Sequence, residues 1–87
     1  MAINFPNVSR SYDVTRQAVR FWGYDRSMEF SFFIMVGALR QMQPDLRSNS
    51  NEILRAFDDN RERIYEIAAK VYARGRTGSY DLNAADV

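Results

Sequence analysis

A chain of 87 residues with 12 basic and 11 acidic side chains has room for one hydrophobic core and a formal net charge of only +1. We therefore expect a single domain over residues 1–87, with no long-range field that would attract nucleic acid or an anionic membrane. Cysteine and histidine are both absent, which excludes disulfides, thiolate catalysis, the usual zinc sites and the commonest general base.

The first residues show a brief apolar alternation. Ile3 and Phe5 precede Pro6, which favours a short edge strand that the proline stops. Residues 1–10 lack the basic end and apolar run of a signal peptide, and residues 7–15 are polar and typical of a loop. Since no disulfide chemistry is available either, we expect a cytoplasmic location and no membrane association.

The next segment carries the period of two that is typical of β-strands. Val19 and Phe21 share one face, while Arg20 and Trp22 share the other. After a loop over 23–26 the alternation resumes, which predicts an antiparallel hairpin with an inner apolar face. The second strand would add Met28, Phe30, Phe32 and Ile34 to the inner, core face, and Glu29, Ser31 and Phe33 to the outer face.

The register of this hairpin follows from matching the two faces. Pairing Phe21 with Met28 joins apolar residues on the inner face and also sets Arg20 opposite Glu29 on the outer face. A slip of one residue would invert a whole strand. We therefore predict this register.

Beyond the hairpin the period changes to that of a helix. Val36 or Met35, with Leu39 and Met42, would form one apolar face, and Pro44 would end the helix. Gly37 weakens this helix, which should be short. The short helix therefore depends on packing against the sheet.

The clearest helical pattern precedes Gly75. Apolar residues recur at alternating spacings of four and three between Ile53 and Val71, which predicts one long helix. Asn49 or Ser50 can cap its start, and Gly75 suits the left-handed position that ends it.

Asn60 interrupts the apolar stripe of this helix and is a candidate buried polar residue. If it is buried, its amide needs a hydrogen-bond partner, either a nearby backbone group or a second helix whose register it would set. Alternatively, Asp58 and Asp59 break the helix, with Asp59 and Glu62 at the spacing of a capping box. The continuous stripe favours the unbroken helix.

The C-terminal segment predicts a brief strand over 80–82, placed as an edge or lid of the hairpin, in which Tyr80 and Leu82 do not both face the core. Taken in order, the elements predict an α+β fold. A small antiparallel sheet, made of the N-terminal hairpin and a short C-terminal strand, would pack against one short and one long helix.

Several segments also match one family pattern. They are Val19-Arg20-Phe21, Ala38-Leu39, and Asn60-Arg61 followed by Ile64, Ile67, Ala68 and Tyr72. In these residues, and in the order of its elements, the chain resembles the small bacterial family catalogued as domain of unknown function 1488. The resemblance covers most of the chain and implies a compact α+β domain. It implies no substrate, cofactor or active-site residue.

The residues themselves give no support to catalysis. Asp58 and Asp59 would point about 100° apart on a helix and form no acid–base pair. Gly75 and Gly78 lack the strand before and the helix after that a phosphate-binding loop requires. We therefore expect no enzyme activity and no catalytic, cofactor-binding or metal-binding residue.

The outer face of the hairpin is the candidate interaction surface. Trp22 and Phe33 lie there, with Arg20 beside them and Tyr24 near the loop. Either a helix covers this face or it stays open to a partner, for which aromatic residues are preferred anchors. The sequence predicts a non-catalytic protein-interaction module whose favoured partner is a second copy of the chain. The alternative is weak nucleic-acid binding through the arginine and aromatic residues of the hairpin region.

Overall fold

The computed structural model describes residues 3–75 and 80–87. Within them, four strands form one sheet in the order β1-β2-β3-β4. The strands are β1 (Ser11–Asp13), β2 (Ala18–Asp25), β3 (Met28–Met35) and β4 (Tyr80–Leu82). The first three run antiparallel, whereas β4 runs parallel to β3 because the chain crosses over through its helices before returning to the sheet. The predicted α+β class is confirmed, with a sheet that is mixed rather than wholly antiparallel.

Three α-helices lie between β3 and β4 in the described chain. They are α1 (Val36–Met42), α2 (Ser50–Asp59) and α3 (Arg61–Ala73), and a short 3-10 helix, Ala84–Asp86, follows β4. The side chain of Asn49 accepts a 2.9 Å hydrogen bond from the Glu52 N–H and caps α2 as expected. Gly75 has a φ of 72° just after α3, which confirms its expected terminating role. No helix in the described ranges is both long and apolar enough to cross a membrane.

Asn60 divides the expected long helix into α2 and α3. Its φ of −118° and ψ of 18° leave the helical region. The backbone N–H of Asn60 donates to the Phe57 carbonyl at 3.1 Å, while its side-chain Nδ2 donates to the Ala56 carbonyl at 2.8 Å. The side chain thus takes the carbonyl that a continuous helix would give to the backbone. The alternative prediction, a helix broken near Asp58 and Asp59, is therefore correct. The residue that precedes α3 is Asn60, however, and not Asp59.

The hairpin register differs from the predicted one. Phe21 pairs with Phe32 rather than Met28, and Arg20 pairs with Phe33 rather than Glu29. The shift is even, so every residue keeps its predicted face. It allows longer strands of eight residues each, which close through a tight turn in which Arg26 adopts a φ of 59°.

Met28 is therefore not part of the core. It pairs with Asp25 at the tip of the hairpin, and 62% of its surface is exposed. Phe30 is only half-buried, because it too lies toward the tip. The predicted core position of Met28 was wrong because the alternation assigns a face but not a distance from the helices.

The core fills the space between one face of the sheet and the helices. We call this face the inner face; it carries Val19, Phe21, Phe32 and Ile34, all fully buried. The helices contribute Leu39, Ile53, Phe57, Ile64 and Val71 to the same cluster.

The edges of the sheet correct two expectations. Tyr80 and Leu82 are both buried on the inner face, because residues two apart on a strand share a side. The edge position of β4 is confirmed. At the other edge, residues 11–13 form β1 within the predicted loop.

The N-terminal residues form a single bridge rather than a strand. Asn4 and Tyr24 exchange two backbone hydrogen bonds of 2.8 Å. Phe5 then turns inward and stacks on Tyr65, with ring centroids 4.5 Å apart. Gly23 permits this approach, because a Cβ at that position would lie 2.7 Å from Cε1 of Phe5.

Candidate interaction face on the sheet

The outer face of the sheet is the side that points away from the helices. The strand register places Ser11, Arg20, Phe33 and Asp81 in one row across it. Ala18 and Phe33 are buried on this side but belong to no part of the helix-covered core cluster. The buried side chains of all three described helices belong to the inner cluster instead.

Phe33 is covered by an arginine rather than by a helix. The guanidinium carbon of Arg16 lies 4.2 Å from the centroid of the Phe33 ring, and that of Arg20 lies 5.8 Å from it. Phe33 is only 7% exposed as a result. Phe33, a predicted surface residue, thus lies on the outer face but beneath Arg16 and Arg20. A partner on this face would contact Arg16 before Phe33.

Arg16 is held over the ring by two carboxylates from opposite edges of the sheet. Its Nε lies 3.9 Å from Oδ2 of Asp13, and its Nη1 lies 3.8 Å from Oδ1 of Asp81. The Asp81 Oδ1 atom is buried and accepts no hydrogen bond within the described chain, although part of the side chain is exposed. These ion pairs are long and half-exposed, so they position Arg16 more than they stabilise the fold.

Trp22 and Arg20 form the more accessible part of the face. The Arg20 guanidinium lies 5.1 Å from the Trp22 ring, and its Nη2 donates a 2.9 Å hydrogen bond to Oγ of Ser31. Trp22 is half-buried. A cation over an indole face is a favourable contact that leaves the outer side of both groups open to a further surface.

Tyr24 lies on the same face toward the tip of the hairpin. Its hydroxyl donates a 2.5 Å hydrogen bond to Oε2 of Glu29 and accepts one of 3.3 Å from Nδ2 of Asn7. The bond to the Glu29 carboxylate raises the pKa of the Tyr24 phenol above its ordinary value. Tyr24 is therefore a neutral phenol that is fixed in place at physiological pH.

The charges on the outer face have both signs. Arg16 and Arg20 alternate with Asp13, Glu29 and Asp81. A face of this kind has no strong net potential and is not built to concentrate anions. It can instead match a surface whose charges alternate in the same way.

A second polar cluster lies at the break between α2 and α3 and was missed by sequence reasoning. Asp58 accepts hydrogen bonds of 3.0 and 2.9 Å from Nε and Nη2 of Arg10, and one of 2.6 Å from Nη2 of Arg61. Arg61 also donates to the Val8 carbonyl at 3.0 Å. Hydrogen bonding from Arg10, above all, holds the pKa of the Asp58 carboxyl below its ordinary value. The cluster ties the N-terminal segment to the α2–α3 break, and the separation of 48 positions between Arg10 and Asp58 leaves no local signal for it.

The side chain of Asn60 bonds to a backbone carbonyl, which is one of the two contacts that the sequence left open. It is half-buried, and besides the Ala56 carbonyl its Nδ2 lies 3.5 Å from Oε1 of Gln43. Trp22, Tyr24 and Arg20 lie together on the outer face, whereas Asn60 lies near the α2–α3 break. The predicted residues therefore form one surface group and one separate helix contact.

A mixed four-stranded sheet with helices on one face and an arginine–aromatic layer on the other defines a small α+β domain with an accessible sheet face. Comparison with known families is decisive at this point: the chain belongs to the family described as "Protein of unknown function (DUF1488)", whose model matches residues 3–83. The resemblance seen in the sequence is thereby confirmed.

One solved structure has the same fold. The chain is similar to the crystal structure of a protein of unknown function of the DUF1488 family from Shewanella loihica PV-4, with a TM-score of 0.83 and 23% identity over 93% of this chain and 91% of that one. At this identity the likeness shows the fold alone. None of the curated proteins compared with the chain is significantly similar to it.

Proposed function

We propose that this chain is a non-catalytic protein-interaction module that self-associates through the outer face of its sheet. One observation carries the proposal: in the described residues the buried side chains of the helices belong to the inner core, and arginine side chains lie over Phe33 on the outer face. Trp22 and Tyr24 remain partly accessible there. Tryptophan, tyrosine and arginine are the residue types that most often anchor protein interfaces.

The charges of the face favour a second copy as the partner. In a two-fold symmetric interface the same patch meets itself, so a patch must carry both signs to avoid facing like charges. Arg20 lies beside Phe33 in the row that runs from Ser11 to Asp81, and Glu29 lies opposite Tyr24 on the same face, nearer the hairpin tip. Rotation of one copy onto another can therefore place each arginine against a carboxylate of its partner.

The test is the molar mass in solution. Size-exclusion chromatography with light scattering, over a wide range of protein concentration, should show a dimer for the wild type and a monomer for Trp22→Ala. Val8→Ala is a matched control, because Val8 is 69% exposed and its backbone carbonyl is bonded to Arg61 at the start of α3. It should leave the dimer intact. A wild type that stays monomeric at every concentration, or a dimer that Trp22→Ala does not weaken, would contradict the proposal.

Weak nucleic-acid binding is the second candidate. The stacking of Arg20 on Trp22 supports it, since guanidinium and aromatic groups on a sheet can stack on bases. The interleaved carboxylates make it the weaker candidate. Fluorescence anisotropy with a labelled single-stranded RNA would test it: binding that falls steeply with salt and that Arg20→Ala abolishes, from a protein that stays monomeric, would replace self-association as the function.

A further inference from the structure

A groove of about 680 Å³ opens at the tip of the hairpin, on the opposite side of the sheet from the outer face. It lies where the β2–β3 turn meets the last turn of α3. Its lining includes the turn residues from Asp25 to Met28, together with Phe30, Tyr72 and Asn4. The size is that of pockets that take small organic molecules.

One wall of the groove is aromatic and apolar. The rings of Phe30 and Tyr72 lie 5.2 Å apart at an angle of 56°, and both residues are half-buried. Tyr80 packs behind them, 5.9 Å from Phe30 and 5.5 Å from Tyr72. Met28 borders the same wall and is largely exposed. Both rings line the groove next to this accessible apolar side chain.

The other wall carries a fixed carboxylate. The hydroxyl of Tyr72 donates a 2.5 Å hydrogen bond to Oδ2 of Asp25. This bond, first of all, raises the pKa of Tyr72 to about 12, so the phenol remains a donor at physiological pH. No residue in the described chain donates to the Oδ1 atom of Asp25. The carboxylate is therefore held in one position with an acceptor atom available.

We propose that this groove binds a small organic cation, an ammonium group carried by an apolar body. The ammonium would donate to Oδ1 of Asp25, and the apolar body would lie against Phe30 and Met28. A charge-assisted hydrogen bond and a nearby aromatic face are together the preferred surroundings of such a cation. The groove lies on the other side of the sheet from the proposed interaction face, so this inference does not depend on self-association.

Arg26 offers a way to test which ligand charge the groove prefers. It lies at the rim of the groove, is exposed, and forms no ion pair with a described residue. A ligand carboxylate would use Arg26, whereas an ammonium would use Asp25. Ligands of equal size and opposite charge therefore distinguish the two residues.

The experiment compares three probes of nearly equal shape: phenethylammonium, neutral 2-phenylethanol and anionic 3-phenylpropanoate. Each is titrated into the full chain labelled with nitrogen-15, and the backbone amide shifts give the dissociation constant and the place of binding. We expect the ammonium to bind about tenfold more tightly than the alcohol, a difference of about 1.4 kcal/mol. The largest shifts should fall on Asp25, Phe30 and Tyr72.

Variants assign the interaction to the carboxylate. Asp25→Asn should abolish the preference for the ammonium over the alcohol. Asp45→Asn, which removes an equal charge from an exposed loop, should keep it. Tyr72→Phe should also keep it, because the Asp25 charge remains. The amide spectrum of each variant verifies that it is folded.

Three results would overturn the proposal. The first is tightest binding of 3-phenylpropanoate with loss on Arg26→Ala, which would assign the groove to carboxylates. The second is equal or undetectable binding of all three probes. The third is ammonium binding that persists in Asp25→Asn but is lost in Tyr72→Phe, which would mean that the carboxylate is not the acceptor.

Discussion

The guanidinium of Arg16 lies 4.2 Å from the centre of the Phe33 ring and covers it on the outer face of the sheet. Phe33 is buried by this contact although no described helix packs on its side. A long cationic side chain can cover apolar surface with its stem and keep its charged end in water. The chain thereby keeps an uncovered sheet face from exposing a large apolar patch.

Removal of this cover should expose Phe33. We expect Arg16→Ala to lower the free energy of unfolding by about 1 kcal/mol, from the loss of the cation–π contact and of the packing beneath it. It should also increase the binding of a hydrophobic fluorescent dye. Arg26→Ala is the matched control, because Arg26 is exposed at the hairpin tip. Urea unfolding and dye titration measure both effects, and equal dye binding by the two variants would refute the role of Arg16.

The Asp58 cluster should make stability depend on pH in acid. The pKa of Asp58 is lowered in the folded state, so its contribution is present above its unfolded pKa and is lost as the pH falls through the lower folded value. We therefore expect Asp58→Asn to destabilise the protein at pH 7 by about 0.5–1 kcal/mol, a small effect because the pair is partly exposed. Below about pH 4 the difference from the wild type should shrink.

Urea unfolding at a series of pH values measures this dependence. Asp59→Asn is the control, since Asp59 is the exposed neighbour and forms no ion pair with a described residue. It should leave the pH profile unchanged. A wild-type profile that runs parallel to that of Asp58→Asn between pH 7 and pH 2 would show that the cluster does not act through ionisation of this carboxyl.

Substitution of alanine should change the stability of the protein in opposite directions at two glycines. A Cβ at Gly23 would lie 2.7 Å from Cε1 of Phe5 and 2.9 Å from Cε1 of Phe32. Because both rings are packed, we expect Gly23→Ala to destabilise the protein by about 1–3 kcal/mol. A Cβ at Gly37 would meet nothing within 4 Å, so Gly37→Ala should stabilise α1 by about 0.5 kcal/mol. Thermal unfolding distinguishes the two, and equal shifts in the same direction would contradict the close packing at Gly23.

The break between α2 and α3 should depend on a single donor. Asn60→Asp replaces the amide that bonds to the Ala56 carbonyl with a group that cannot donate when ionised. We expect a loss of about 1–2 kcal/mol. Asn51→Asp is the control: it makes the same change in the first turn of α2, where a negative charge is favourable. The urea midpoints of unfolding measure both effects. An unchanged midpoint for Asn60→Asp would show that the bond from the Asn60 side chain does not stabilise the break.

The hairpin register can be tested by shortening two side chains, one by a single methylene group and the other by several atoms. Ile34 is fully buried opposite Val19, so Ile34→Val should cost about 0.5–1.5 kcal/mol for one methylene group. Met28 lies at the exposed tip, so Met28→Ala should stay within about 0.5 kcal/mol of the wild type although it removes more atoms. The reverse order would favour the register in which Met28 faces Phe21.

Most of the candidate face could be found from alternation alone. Arg20, Trp22 and Phe33 share a side because successive strand residues point in opposite directions. Arg16 could not be found this way, since it lies in a turn and reaches Phe33 only after the hairpin has closed. The groove at the hairpin tip could not be found either, because it brings Asp25 to Tyr72 across 47 residues of sequence.

Features that depend on near neighbours in the chain could be predicted from residue order alone: the faces of β2 and β3, the Asn49 cap and the glycine after α3. The register depends on the folded hairpin, because an even shift preserves both faces and the choice rests on turn geometry and strand length. The break at Asn60 also depends on the fold, since a side-chain amide there replaces a backbone donor. The side on which the helices pack is likewise a tertiary property, because both faces of the hairpin carry aromatic residues. The face with the larger apolar area is buried against the helices, and the face that the arginines cover is left outside.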